Sequence, residues 1–169
     1  MNKIFDVIVA PPILPGRFVS DDFSHFLFFD FSLRGSPQFL DEIQTLADEN
    51  SRIQVFYAHS LELLAEADRR EKWSTIVSRV DQSLDQQGEP YGLVIADLNS
   101  GWLLAQHSPV EWGVFAVKSN SRSAQVILDS MDSEDFLSVD EFRSAKRNAD
   151  SRLHDCFDRE FIDAIINNY

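Results

Sequence analysis

The chain has 169 residues, of which 44% are hydrophobic and 25% charged, so it fits one globular domain over residues 1–169 and is neither disordered nor fibrous. Its 28 acidic and 15 basic residues give a formal net charge of −13. This excludes a sequence-independent nucleic-acid binder, which needs a surplus of Lys and Arg. A single cysteine, Cys156, excludes a disulfide framework.

The compartment is predicted from three features of the sequence. No run approaches the roughly 18 apolar residues of a membrane span, and the first residues lack the pattern of a secretory signal. A lone thiol without a pairing partner is typical of a reducing cytosol, and a periplasmic mature form is the alternative. We therefore expect a cytoplasmic protein that has no membrane partner.

The N-terminal third predicts strands and one helix. Residues 3–9 form an apolar run that ends at prolines and predict a strand, and residues 24–31 predict a second strand that is covered on both faces. Ser36 as a cap and Pro37 at the first position favour a helix there. Residues 52–57 predict a third strand, and this order suggests a βαβ unit.

Phenylalanine is concentrated near the start of the chain. Eight of the fourteen phenylalanines precede residue 40. Such a cluster is typical of core packing, and the alternative is an exposed aromatic binding surface.

Residues 60–87 are predicted to be helical. An apolar stripe that begins at Leu61 and Leu64 recurs at helical spacing, and the charged run 68–72 marks a bend or break in it. Gly88 is a normal helix stop.

The next block predicts an antiparallel meander. Residues 91–98 and 102–106 read as strands joined by a turn at 99–101, with Gly where a left-handed residue is needed, and residues 112–117 read as the third strand. We therefore predict an α+β fold with one central sheet of about six strands and helices packed on it. A mixed α/β arrangement is the alternative.

The C-terminal part predicts helices. Residues 121–131 fit a helix or a strand equally well. A capping box at Ser138–Glu141 predicts a helix over 139–148, and a last amphipathic helix follows a cap at Asp155 or Asp158.

Known catalytic motifs are missing from the sequence. The six glycines form neither a dinucleotide-binding nor a Walker loop, and no nucleophile elbow or paired-histidine motif occurs. His154 and Cys156 are too close in sequence to share a helix face, and neighbouring acids disfavour a thiolate. We therefore assign no catalytic residue, metal ligand or cofactor.

The strongest remaining signal is a run of acids. Between Ser123 and Phe142 there are six acidic residues and no basic one: Asp129, Asp132, Glu134, Asp135, Asp140 and Glu141. They form either a solvated loop or a contact patch that steers a basic partner by long-range attraction. Phe136 and Leu137 supply the patch with an apolar anchor or hold the loop to the core.

In size, acidity and lack of catalytic motifs, the chain resembles immunity proteins, the inhibitors that bacteria make against their own secreted toxins. The resemblance implies a non-enzymatic protein that neutralises a basic partner, such as a nuclease toxin, by occupying the groove meant for phosphate. On this hypothesis the six acids lie at the interface, and Asp132→Lys with Asp135→Lys slows association.

Two other classes of function remain open on the sequence. Asp6, Asp30 and Asp97 lie in or beside predicted strands, and two of them at one sheet edge would suit a metal-dependent hydrolase. The second is a structural or regulatory subunit that forms a homo-oligomer through exposed aromatic residues such as Trp102 or Trp112.

Overall fold

The computed structural model describes residues 4–131 and 135–169, and within them a seven-stranded antiparallel sheet lies between two layers of helices. The strands are β1 (Phe23–Phe29), β2 (Arg52–Tyr57), β3 (Leu63–Asp68), β4 (Leu93–Asp97), β5 (Trp102–Ala105), β6 (Gly113–Lys118) and β7 (Leu137–Ser138). The helices are α1 (Ile4–Val7), α2 (Phe39–Leu46), α3 (Trp73–Gln87), α4 (Arg122–Ser130), α5 (Val139–Arg147), α6 (Leu153–Cys156) and α7 (Arg159–Asn168). The predicted α+β class is confirmed, with slightly more strands than expected.

The strand order across the sheet is β3-β2-β4-β5-β6-β1-β7, and neighbouring strands run antiparallel throughout. The predicted meander is β4, β5 and β6, with Val94 opposite Ala105 and Ala105 opposite Val114. Gly101 has the expected left-handed conformation, with φ of 80°. β1 and β2 point the same way but are separated by the whole meander, so the suggested βαβ unit has no parallel ladder between its strands.

Two cores lie on the two faces of the sheet because side chains alternate along each strand. In β4, Leu93 and Ile95 face one core, while Val94 and Ala96 face the other. We call the first the front face, covered by α2, α3 and α4, and the second the back face, covered by α1, α5, α6 and α7. Coverage on both sides explains why the central strands are continuously apolar. Among the described helices, none is long and apolar enough to cross a membrane.

One predicted helix is partly a strand. The prediction over 60–87 holds from Trp73 onward and ends at Gly88, with φ of 71°, but residues 63–68 form β3. Leu61 takes a left-handed conformation, with φ of 57°, and closes a tight turn that pairs β3 with β2. The helical spacing of the apolar residues was therefore misleading, because hydrogen bonding to a neighbouring strand decides the local structure.

Two N-terminal predictions are also wrong. Residues 3–9 are not a strand in their described part. Ile4 and Val7 lie one turn apart in α1 and are its buried residues, and Ile8 forms a single β-bridge with Val19. Ser36 does not cap a helix, because α2 begins after Gln38 and has no side-chain cap. The short apolar run covers the back face of the sheet and does not extend it.

The C-terminal caps follow local chemistry closely. Residues 121–131 resolve to a helix, α4, whose Ser121 side chain accepts a hydrogen bond from the Ala124 amide. The capping box that joins Ser138 and Glu141 starts α5 as predicted. Of the two expected caps for the last helix, Asp158 is the one used.

Candidate functional site

The strand-end aspartates of the hydrolase hypothesis do not meet. Asp97 is only 1% exposed and caps its own turn, accepting hydrogen bonds from the Asn99 amide at 3.1 Å and from the Ser100 amide and hydroxyl at 3.0 and 2.7 Å. β1 and β4 run in opposite directions. Asp30, which follows β1, and Asp97, which ends β4, therefore lie at opposite ends of the strands.

Asp6 is exposed on α1, a helix whose buried residues belong to the back core. The part of the chain that the structure describes contains no group of three or more His, Cys, Asp or Glu residues arranged to hold a metal ion. Asp30 and Asp97 therefore share no site, and the described residues contain no metal-binding group built from the three aspartates.

The tryptophans expected at a subunit interface are not exposed in the way that hypothesis needs. Trp102 is fully buried in the front core. Trp112 is half-buried and packs on Phe157, with 4.8 Å between ring centroids. The two residues lie on different faces of the sheet and form no common aromatic surface.

The single thiol and its neighbouring histidine have separate environments. Cys156 is exposed at the end of α6. His154 Nε2 donates to the carbonyl of Ala145 at 2.9 Å, which ties α6 to α5. His154 therefore has a structural contact of its own.

A buried arginine forms a polar cluster that sequence reasoning missed. Arg34, 6% exposed, donates from Nε to Asp81 at 2.6 Å and from Nη2 to Asp85 at 2.5 Å. Its Nη1 donates to the carbonyls of Glu89 and Tyr91 at 2.7 and 2.9 Å. We call these five residues the Arg34 network. Asp81 and Asp85 lie four residues apart on one face of α3, and this spacing is the only sign of the network in the sequence. Arg34, which binds both, is 47 and 51 residues away from them.

Gln106 plays a matching role at the next loop. It is fully buried, accepts from the Leu33 amide at 2.9 Å, and donates to the carbonyls of Phe31 and Glu111 at 2.9 and 2.7 Å. Gln106 joins loops 30–38 and 106–112, and the Arg34 network joins loop 30–38 to loop 88–92, so three loops are held at one end of the sheet. The polar groups of Arg34 and Gln106 are hydrogen-bonded to other groups of the same chain. They therefore support the fold and offer little to a ligand.

Aromatic and titratable side chains also gather at this end. The hydroxyl of Tyr57 donates to the Glu89 carboxylate at 2.5 Å, and burial together with this hydrogen bond raises the pKa of Tyr57 to about 12. His59 stacks on Tyr91 at 4.4 Å, and His107 meets the edge of the same ring at 5.1 Å. The fold thus brings together two histidines that are far apart in sequence, around a tyrosine and without a shared polar contact.

The predicted acidic contact segment is divided by the fold. Asp129 lies at the end of α4 and Asp135 precedes Phe136, both on the front face and both exposed. Asp140 and Glu141 lie in the first turn of α5, which packs on the back face. Asp132 and Glu134 lie outside the described residues.

The two acids on α5 are engaged locally. The Glu141 carboxylate accepts from the amide and hydroxyl of Ser138 at 2.7 and 2.9 Å. Asp140 forms an ion pair with Arg143 at 2.7 Å. Both carboxylates stabilise the start of α5, so less of their charge is available to a partner.

Phe136 and Leu137 are packing residues. Phe136 is 6% exposed and lies edge-on to Phe29 and Phe31, at 6.0 and 5.6 Å between centroids. Leu137 belongs to β7 and pairs with Phe28 of β1. Of the two roles open on the sequence, both residues take the one that holds this segment to the sheet.

Beside Phe136 lies a cavity of about 260 Å³, which we call the aromatic cavity. Its lining consists of three phenylalanines, one methionine, two carboxylates and two neutral polar residues: Phe31, Phe39, Phe136, Met131, Glu42, Asp135, Ser36 and Gln38. Phe31 and Phe39 are half-buried, so the N-terminal phenylalanines are mainly core but also supply a partly exposed aromatic surface.

The rings of the cavity are steeply inclined to each other. Phe31 lies 4.7 Å from Phe39 at an interplanar angle of 54°, and 5.6 Å from Phe136 at 86°. Phe29 supports them from the core by stacking on Phe31 at 4.6 Å. The three lining rings are therefore not stacked on one another, and all three border the same cavity.

The surroundings of the cavity are acidic. α2 and α4 are neighbours: Ser123 at the start of α4 donates to Asp48 beyond the end of α2, while Met131 and Phe39 meet at the cavity. The two helices are thus antiparallel. We call four exposed acids the acidic face, two of them in these helices and two just beyond their ends: Glu42 and Asp129, and Asp48 and Asp135.

The two helices beside the cavity contain few basic residues. Within α2 and α4, both fully described, Arg122 is the single basic residue and lies at the opposite end of α4 from the cavity. Glu42 and Asp135 form no ion pair with any described residue. The negative charge at the cavity is therefore available to an external cation.

An open cleft of about 750 Å³, larger than the aromatic cavity, is of a different kind. Arg69 lines it and donates to the carbonyls of Gln44 and Thr45, at 3.3 Å each, near the C-terminal end of α2. Lys72 pairs with Asp41 at 3.2 Å. These cations neutralise the helix end and a neighbouring acid, so the cleft is a region of internal pairing between α2 and the turn before α3.

Comparison with known proteins finds no relative: no family model matches the chain, and no curated protein or solved structure matches it. The described side chains are therefore the basis for a functional interpretation. The aromatic cavity with its acidic face is the candidate site.

Proposed function

We propose that this chain is a non-enzymatic binding protein that holds a basic protein partner on its acidic face and neutralises it, in the manner of an immunity protein against a toxin. The observation that supports the proposal best is the juxtaposition of a half-exposed aromatic cavity with carboxylates that have no cationic partner among the described residues.

Charge supplies the long-range part of the interaction. The net charge of −13 attracts a basic protein before contact, and the acidic face concentrates that attraction on α2 and α4. Electrostatic steering of this kind raises association rates by about one to three orders of magnitude at low salt. We therefore expect binding to weaken as the salt concentration rises.

The aromatic cavity supplies the short-range part. Affinity in protein interfaces usually comes from a few buried anchors surrounded by polar contacts. Phe31 and Phe39 are half-buried, so a partner side chain that enters the cavity covers apolar surface still open to water. The charged rim and the apolar centre together have the organisation of a binding site.

The neutralising role follows from the sign of the charge. A protein that acts on nucleic acid carries a basic surface for phosphate. A rigid surface of carboxylates that covers such a groove blocks it, because the acids take the positions of the phosphates. The proposed partner is therefore a basic, nuclease-like toxin domain.

The test is a capture experiment with the immobilised full chain. Host-cell extract is applied at low salt, eluted at high salt and analysed by mass spectrometry. We expect one stoichiometric basic protein, whose toxicity when expressed alone is abolished by co-expression of this chain. The Glu42→Lys/Asp135→Lys variant should retain less of it, and the matched Asp155→Lys/Glu160→Lys variant on the back face should retain it fully.

Two results would contradict the proposal. One is the absence of any stoichiometric basic protein among those retained. The other is a captured protein whose activity and toxicity are unchanged when this chain is bound.

A further inference from the structure

We infer that the aromatic cavity binds an arginine side chain of the basic partner, with the guanidinium against the rings of Phe31 and Phe39 and its N–H groups directed to Glu42 and Asp135. As a description of the natural ligand, this inference rests on the proposed function. As a statement about the cavity, it can be tested without the partner.

The size of the cavity suits one side chain. Its volume of about 260 Å³ is below the roughly 300–1,000 Å³ that is usual for sites of drug-sized ligands and cofactors. Phe136 in its lining is buried, while Phe31, Phe39 and Met131 are half-buried and leave the cavity accessible. The occupant is therefore a small group presented on a larger molecule.

The lining selects a cation. The faces of aromatic rings attract a cation that lies within about 6 Å of the ring centroid, and the steep angles between Phe31 and its two neighbours place more than one ring around the same space. Glu42 and Asp135 add full negative charges. An anion would be repelled, and a purely apolar group would remove these carboxylates from water without giving them a partner.

The orientation of the neighbouring helices also favours a positively charged ligand. α4 ends beside the cavity and has no basic residue in its last turn, so the negative end of its dipole is directed to that region. α2 begins there, and its first turn carries two acids: Asp41 pairs with Lys72, whereas Glu42 forms no ion pair with a described residue and offsets the positive end of the dipole.

The chain contains two contacts between a cation and a phenylalanine ring elsewhere in the fold. The guanidinium of Arg17 lies 5.2 Å from the ring centroid of Phe26, and Lys118 Nζ lies 5.3 Å from that of Phe23. At those rings the cation comes from the chain itself. At the aromatic cavity, the described residues supply no such cation.

Arginine fits better than lysine for a geometric reason. The guanidinium is planar, so it can lie flat on a ring while its N–H groups point outward in a fork that matches a carboxylate. The ammonium group of lysine is more strongly hydrated and cannot stack in this way. The cavity has rings and two carboxylates in its lining, which is the combination a guanidinium requires.

Met131 provides a direct reporter. The chain has only two methionines, so full-length protein labelled with ¹³C at the methionine methyl groups gives a spectrum in which Met131 is assigned by its loss in Met131→Leu. N-acetyl-arginine amide is titrated as the probe. N-acetyl-citrulline amide, the neutral analogue of the same shape, and N-acetyl-lysine amide are titrated as comparisons.

We expect a saturable shift of the Met131 methyl signal with arginine amide, with a dissociation constant of about millimolar. The citrulline compound should bind about tenfold more weakly or not at all, and the lysine compound should fall between them. Glu42→Gln and Phe39→Leu should each weaken binding severalfold. The matched control Glu160→Gln on α7 should leave it unchanged.

The inference is overturned if arginine amide leaves the Met131 signal unmoved, or if citrulline amide shifts it equally. Should Phe39→Leu fail to fold, the exposed Glu42→Gln variant still tests the charge requirement. A partner that binds in a salt-dependent way while arginine amide does not bind refutes this inference and leaves the proposed function standing. Binding of arginine amide without any basic partner refutes the proposed function and leaves the inference standing.

Discussion

The Arg34 network and the aromatic cavity both place charge beside aromatic rings, but their charges differ in what they contact. Arg34 is buried and its N–H groups are directed to two carboxylates and two carbonyls of the same chain. Glu42 and Asp135 are exposed and have no ion pair among the described residues. The comparison separates charge that maintains the fold from charge that is available for binding.

This difference predicts opposite responses to mutation. Variants in the network should destabilise the fold because they leave buried polar groups without partners. Variants at the cavity should change binding and leave stability nearly unchanged.

The largest effect on stability is expected for Arg34→Met. The substitution removes the cation from between Asp81 and Asp85 and leaves the carbonyls of Glu89 and Tyr91 without a donor. We expect the free energy of unfolding to fall by about 3 kcal/mol, measured by urea denaturation. Arg79→Met, at an exposed position of α3, should change it by less than about 0.5 kcal/mol. Equal losses in the two variants would show that Arg34 has no special structural role.

The second-largest loss of stability is expected for Gln106→Leu. The side chain is fully buried and makes three hydrogen bonds to the backbone of two loops, and leucine satisfies none of them. We expect a loss of about 2 kcal/mol in the same assay, whereas the exposed Gln86→Leu should be nearly neutral. A neutral Gln106→Leu variant would contradict the proposed role of this residue in joining the loops.

Tyr57→Phe should have a smaller effect that depends on pH. At neutral pH it removes one hydrogen bond to Glu89, worth about 1 kcal/mol. Because folding raises the pKa of Tyr57 from 10.0 to about 12, the protonated phenol stabilises the fold fully below pH 10, and this contribution is lost as the pH rises through about 12. The stability difference between wild type and Tyr57→Phe should therefore shrink over that interval in urea denaturation. A constant difference would show that the phenol is not held protonated by folding.

The smallest effect on stability is expected at the cavity. Glu42→Lys with Asp135→Lys should change the free energy of unfolding by less than about 1 kcal/mol, since both side chains are exposed and only Glu42 lies in the first turn of a helix. Thermal and urea denaturation check this. A large loss of stability would place these acids among the groups that maintain the fold.

The sequence predicted those elements whose signals are local. The meander depends on a glycine turn between apolar runs, and α5 depends on the box formed by Ser138 and Glu141, so both could be recognised within a few residues. β3 could not, because Leu61 and Leu64 have helical spacing and only pairing with β2 makes this segment a strand.

The candidate site was predicted only in part. Asp129 and Asp135 were recognised in the sequence as acids without neighbouring bases. Asp140 follows them closely in sequence and was assigned to the same patch, but β7 leads the chain to the other face of the sheet before Asp140. The aromatic cavity joins Phe31 to Phe136, more than a hundred residues later, through the pairing of β7 with β1. No local pattern encodes such a contact.

The most direct test of the central claim is the association rate of the captured basic partner with two charge-matched variants. Glu42→Lys/Asp135→Lys on the front face and Asp155→Lys/Glu160→Lys on the back face change the net charge equally. We predict that the front-face variant slows association about tenfold or more at low salt, that the back-face variant slows it much less, and that the difference narrows as salt is added. Equal rates for the two variants, or a larger loss from the back-face variant, would contradict the assignment of the acidic face as the binding surface.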